Sequence, residues 1–202
     1  PYQFCNLTEV VIRSTDTEQD LERKIAIATI LGTLQATYTK FPYLRQIWQD
    51  NTNEERLLGV SLTGIMDNPL TTTANPDLQG LLERLREVSV MVNKEWAGKL
   101  GIKQSTAITA VKPSGTVSQL VNSASGIHAR HSEYYIRTVR GAFNDPLTQF
   151  MKDQGIPWEP CAHQPDTTVV FSFPQKSPKQ AVLTENTTAI QQLDTWLAYQ
   201  RH

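Results

Sequence analysis

The chain has 202 residues, 39% of them hydrophobic and 19% charged, with 20 acidic and 19 basic side chains for a net charge of −1. A chain of this length buries a core without staples, and apolar residues spread along all of it exclude a disordered protein. The balanced charge argues against a protein that coats nucleic acid, no stretch reaches the ~20 apolar residues of a membrane helix, and two cysteines cannot build a disulfide scaffold or a four-cysteine zinc site.

Leu7 to Ile12 is short and β-branched, which predicts a strand. Thr15 and Glu18 have capping-box spacing. They predict a helix to about Tyr38 with Leu21, Ile25, Ala28, Leu31 and Leu34 on one face. Pro42 punctuates an aromatic stretch ending near Trp48, and Leu57 to Leu62 reads as a buried strand before Gly64. Asn75-Pro76 opens a second long helix. Its apolar spacing runs through Leu78, Leu81, Leu82, Leu85, Val88, Val92 and Trp96, and Gly98 and Gly101 close it.

Thr106 to Val111 predicts a compact strand, followed by a turn at 112–116 and a short helix from Val117. Glu133 to Arg140 reads as a strand rich in Tyr, Ile and Val. Asn144 caps a helix from about Pro146 to Gln154, which Gly155 ends. Thr167 to Phe173 is the clearest strand, and a last helix runs from about Thr188 to the end. Alternating strands and helices predict an α/β fold with a largely parallel sheet or barrel. The chain opens on Pro1 and closes on His202 inside a helical pattern, so it is expected to be a piece of a longer polypeptide rather than a trimmed domain.

The turn after Thr106–Val111 is the best local candidate for chemistry. A helix start leaves amides unpaired and carries partial positive charge. Gly115 lets a ligand reach the backbone, Ser114, Thr116 and Ser118 offer hydroxyls, and Lys112 offers a charge. An anion cradle and ordinary capping both fit this spacing, and no GxxxxGK[ST] loop is present. Cys5 suits either a small buried hydrophobe or a redox thiol, with no CxxC partner. Cys161 reads as an incidental thiol in a Pro-rich loop. His128, Arg130 and His131 read as a polar rim or a solvated loop, and no acidic or thiol side chain nearby supports a metal site. Arg137 and Arg140 fall on opposite faces of a regular strand.

Several segments together resemble one family. Phe4-Cys5-Asn6-Leu7-Thr8-Glu9-Val10 resembles the stretch just beyond the finger loop of ribonucleotide reductases. The run from Arg56 to Ile65 is similar to a core segment of the same enzymes, and the run from Val111 to Leu120 to their substrate phosphate loop. Ser125-Gly126-Ile127-His128 and Tyr134-Tyr135-Ile136-Arg137 follow in the order found in the adenosylcobalamin-dependent, class II enzymes of the monomeric ribonucleoside-triphosphate type.

This resemblance implies that residues 1–202 form a single incomplete segment, truncated at both ends, from the second half of a ten-stranded α/β barrel. It implies that Cys5 is one member of the cysteine pair that reduces the ribose, its partner lying upstream. It assigns Ser114, Gly115, Thr116, Val117 and Ser118 to the substrate phosphates. Adenosylcobalamin in the complete enzyme, a ribonucleoside triphosphate, a thioredoxin-type reductant and the remaining segments of the enzyme are the implied partners. A cytoplasmic protein is implied, touching neither nucleic acid nor membrane, with no metal ligand among these residues. In the family the thiyl cysteine precedes the Cys-Asn-Leu stretch and the electron-accepting cysteines lie near the C-terminus, so this chain alone is expected to be inactive. The competing reading is a stand-alone phosphate- or nucleotide-binding α/β module without redox activity.

Overall fold

The computed structural model describes residues 2–112 and 114–202, which divide into two compact units: 2–130 with 180–202, and 131–179. In the first unit β1 (Asn6–Val11) pairs in parallel with β2 (Leu58–Thr63), Leu7 opposite Gly59 and Glu9 opposite Ser61. Thr109 adds an isolated parallel bridge to Val60. The expected strand over Thr106–Val111 is thus only partly formed. The amides of Leu58 and Val60 bond to the carbonyls of Ala107 and Ile108, a two-residue step against a one-residue step, which breaks a regular ladder.

Helix α1 (Glu18–Gln35) follows β1 and α2 (Gln46–Glu55) precedes β2. The capping box sits at Thr17 and Asp20, two residues later than its sequence signature, because Asp16 is engaged by the Arg13 amide and by Lys24. Helix α2 escapes the sequence reading because its residues are almost all polar. Helix α3 (Leu78–Leu100) starts two residues late, with Asp77 at its N-cap.

The core joins Val10, Ile12, Leu58 and Val60 of the sheet to Leu21 and Ile25 of α1 and to Leu78, Leu81, Leu82 and Leu85 of α3. Burial of side chains of this kind contributes roughly 1.5–3 kcal/mol each. Further along, the buried stripe turns polar. Leu31 and Leu34 of α1 are exposed, and Thr29, Gly32 and Thr33 face inward instead. On α3 the inward positions are Ser89, Asn93 and Ala97 rather than Val92 and Trp96. Asn93 donates to Thr33 and Ser105 and accepts from the Ser105 amide, so this seam is hydrogen-bonded rather than dry. Helix α4 (Thr116–Leu120) lies beyond the partial strand. Helix α6 (Ala189–Arg201), which starts where expected and is capped by Thr188, docks by the Tyr199 hydroxyl donating to the Thr71 carbonyl at 2.6 Å.

The second unit is antiparallel, contrary to the expected parallel sheet. Strands β3 (Tyr134–Ala142), β4 (Trp158–Cys161) and β5 (Gln164–Lys176) pair in the order β3-β5-β4. Short returns between β4 and β5 allow only an antiparallel partner. Strand β4 reads as a Pro-rich loop in sequence, yet Pro160 is tolerated on an edge strand, where one side needs no donor. Helix α5 (Pro146–Asp153), capped by Asp145 rather than Asn144, lies over Gly141, with Val169 and Phe171 fully buried beneath.

Candidate functional site

The two faces of the β1–β2 sheet differ. Thr8, Val10, Leu58 and Val60 face the helices, since a Cβ on Gly32 of α1 would touch Leu58 and Thr8. Side chains alternate along a strand, so Leu7, Glu9, Gly59 and Ser61 face the other way. Cys5 joins them. A Cβ at Gly59 would lie 2.5 Å from Leu7 Cδ2, 3.3 Å from Cys5 Sγ and 3.7 Å from Ala110 Cβ. Glycine at position 59 is therefore what lets the thiol settle on the sheet. Cys5 is a free, exposed thiol whose ionisation is pushed up by partial burial.

Ala110 shares this face, and Lys112, two residues on, shares it too. Lys112 then leads toward the loop. Ser114 and Ser118 are buried, whereas Gly115, Thr116 and Val117 are exposed. The Ser114 hydroxyl accepts from the Ser118 amide, and the Ser118 hydroxyl donates to the carbonyls of Ser114 and Gly115. The Ser125 hydroxyl bonds to the Ser114 carbonyl. The two serines expected to donate to a ligand therefore brace the loop from within. The amides of Gly115, Thr116 and Val117 find no acceptor among the described residues. A Cβ at Gly115 would meet nothing within 4 Å, so the space above it is open. Expected residue Pro113 lies outside the described residues.

A buried clamp holds the far side of this loop. Arg130 is 3% exposed and reaches Asp67 through Nε at 2.7 Å and Nη2 at 2.8 Å. Asp67 also accepts from the Ala124 amide, and Arg130 donates to the Asn122 side chain and carbonyl. Asn122 adopts a left-handed φ of 49°, a conformation asparagine tolerates. The sequence places Arg130 on a polar rim or solvated loop. Its actual role is invisible locally, because its partner lies 63 residues upstream.

The other sequence candidates make contacts of their own. His128 contacts the Ser125 carbonyl, and His131 stacks edge-on against Tyr135. Cys161 is buried at the end of β4 rather than in a loop. Amides of His163 and Gln164, with the Arg140 guanidinium, pull its thiol below the ordinary range. Among the described residues no three His, Cys, Asp or Glu side chains gather as a metal-ligand set. No described helix is long and apolar enough to cross a membrane. A cavity of about 290 Å³ opens at the sheet edge, lined by Val60, Leu85, Val111 and Tyr199 and also by Ser61, Ala110 and Lys112, with neither Cys5 nor residues 114–118 in its lining.

No family model matches the chain. It is 28% identical over 204 residues to an adenosylcobalamin-dependent ribonucleoside-triphosphate reductase of Euglena gracilis, covering 99% of this chain and 27% of that protein. A reductase of the same name from Lactobacillus gasseri is 30% identical over 172 residues, covering 71% of this chain and 23% of its own length. The chain matches the adenosylcobalamin-dependent ribonucleotide reductases. It spans about a quarter of the length of these curated relatives. The crystal structure of a B12-dependent, class II ribonucleotide reductase superposes with a TM-score of 0.77 at 23% identity, over 98% of this chain and 31% of that one. The mixed α/β fold implied by the reductase resemblance thus holds.

Proposed function

We propose that this chain forms the part of a ribonucleoside-triphosphate reductase that carries one reducing thiol and the cradle for the substrate's phosphates. The observation that carries this reading is the single sheet face on which Cys5, Gly59, Ala110 and Lys112 lead to the open amides of Gly115, Thr116 and Val117. A nucleotide laid along that face puts its anionic tail on main-chain N–H groups, which suit phosphate oxygens. Its sugar then lies toward the thiol.

The overall reaction replaces the ribose 2′ hydroxyl by hydrogen and releases water. Two thiols supply the two electrons and two hydrogens and become a disulfide. Cys5 is one of them, and its partner belongs to the remaining segments of the enzyme. The disulfide is then opened by exchange with a thioredoxin-type dithiol. A deoxyribonucleotide-making enzyme of this kind works in the cytoplasm.

The relatives' names also bring adenosylcobalamin to the complete enzyme. The residues here do not fit it. The sheet-edge cavity of about 290 Å³ and the groove of about 490 Å³ beside Glu83 and Met91 lie in the lower part of the range of small-ligand pockets, roughly 300–1,000 Å³, and a corrin ring with its nucleotide tail exceeds either. No step of this chain's chemistry is assigned to that group.

Two measurements test the reading. In a reductase containing this segment, Cys5→Ser should abolish deoxynucleotide formation with a thioredoxin-type reductant, since the one remaining thiol can neither supply both electrons nor close into the disulfide. Undiminished multiple turnover would remove Cys5 from the chemistry. Titrating the chain with a ribonucleoside triphosphate should move the amide resonances of 115–117, and unmoved resonances would reduce the loop to plain capping.

A further inference from the structure

Glu9 is the least satisfied side chain on the proposed nucleotide face. Its side chain is 6% exposed, and neither carboxylate oxygen has a hydrogen-bond partner among the described residues. Ser61 stands opposite it in register but spends its hydroxyl on the Thr8 carbonyl. Lys112 forms an ion pair with it, its Nζ 3.8 Å from Oε2, beyond hydrogen-bond reach. Lys112 is itself 29% exposed and immediately precedes the phosphate loop in sequence. A buried carboxylate left without donors is costly. The pair is therefore held by charge alone, without the geometry that would lock it.

Such a pair is poised to exchange partners. An ammonium on a flexible stem is a mobile point charge. Lys112 stands two residues before Ser114 in sequence, on the same side of the site as the amides of 115–117 in the reading above. Glu9 competes with that anion for the same ammonium. We propose that Lys112 is the charged contact to the nucleotide's phosphate chain, and that Glu9 is a specificity-determining residue that holds Lys112 until a highly charged phosphate displaces it. This rests on the phosphate-loop reading above. It extends that reading to a side-chain contact and to a selection for polyphosphate over singly charged anions.

The test uses the 202-residue chain and inorganic tripolyphosphate, followed by the amide resonances of 115–117 and the side-chain resonances of Lys112. Wild type should show both sets moving with one saturation curve. Lys112→Met should weaken the affinity about tenfold, the worth of one charge-assisted hydrogen bond, and Lys112→Arg should restore most of it. Glu9→Gln, nearly isosteric, should tighten binding about threefold to fivefold by removing the competitor. That gain should vanish in the Lys112→Met background, because Glu9 acts through Lys112. A merely structural pair would not show that sign or that coupling. If the loop amides move while Lys112 stays still, or if Glu9→Gln weakens binding, this proposal falls and the loop reading stands. If neither set moves, both fall.

Discussion

Two ion pairs in the first unit are both buried on their acidic side, and they differ in every other respect. Arg130 and Asp67 meet at 2.7–2.8 Å, each 3% exposed, with Ala124 and Asn122 taking up further hydrogen-bonding capacity. Lys112 and Glu9 stand 3.8 Å apart, and the carboxylate has no hydrogen bond among the described residues. The first pair is complete within the fold, so it acts on the loop only by fixing 122–124 behind it. The second is incomplete: its carboxylate has no donor among the described residues, and no hydrogen bond locks its ammonium in place. Satisfaction, more than burial, separates a structural charge from a binding charge.

The comparison breaks most readily at the clamp. Arg130→Met should strand the Asp67 carboxylate in the core and cost about 3–5 kcal/mol in chemical denaturation. A loss below about 1 kcal/mol would mean that the pair is not the brace described. Gly115→Val, placed in open space, should leave stability nearly unchanged and weaken triphosphate binding about tenfold, close to 1.4 kcal/mol. Equal losses in both would point to a packing role instead. Glu9→Gln should leave stability unchanged or raise it, since it removes a buried charge that has no hydrogen bond among the described residues. A loss as large as that of Arg130→Met would erase the contrast between the two pairs.

The smallest expected effect concerns Cys5. Partial burial disfavours its thiolate, so its ionisation lies above that of an ordinary thiol. Alkylation of Cys5 should rise with pH and reach its midpoint later than for a free cysteine in the unfolded chain. The sign follows from the raised value: at any pH below that midpoint a smaller fraction is thiolate. A midpoint at or below that of the unfolded chain would place a cation or a donor at Cys5.

Much of this architecture was legible from the sequence. The periodicities of Leu78–Leu85 and the β-branched run before Ile12 specify their elements, because a buried stripe imposes its own spacing. The helix starts near Thr188 and at Pro146 are local chemistry and appear where expected. What stayed hidden depends on long-range partners. Leu31 and Leu34 fit a helical stripe but lie outside it, because the Asn93–Thr33–Ser105 seam takes the inner face. Arg130 looks solvated until Asp67 is folded against it. At the site, the sequence singled out 114–118 as a unit. Only the fold separates its bracing serines from its open amides, and only the fold reveals Glu9 as unsatisfied.

The central claim is that one nucleotide bridges the 115–117 amides and the Cys5 thiol across the same sheet face. Titrating the chain, selectively labelled at Gly115, Thr116, Val117 and the Cys5 β-carbon, with a ribonucleoside triphosphate addresses it directly. The account predicts that all four signals shift with a common dissociation constant, and that inorganic phosphate moves only the amides. Saturable binding that leaves Cys5 untouched, or shifts confined to the cavity beside Tyr199, would contradict it.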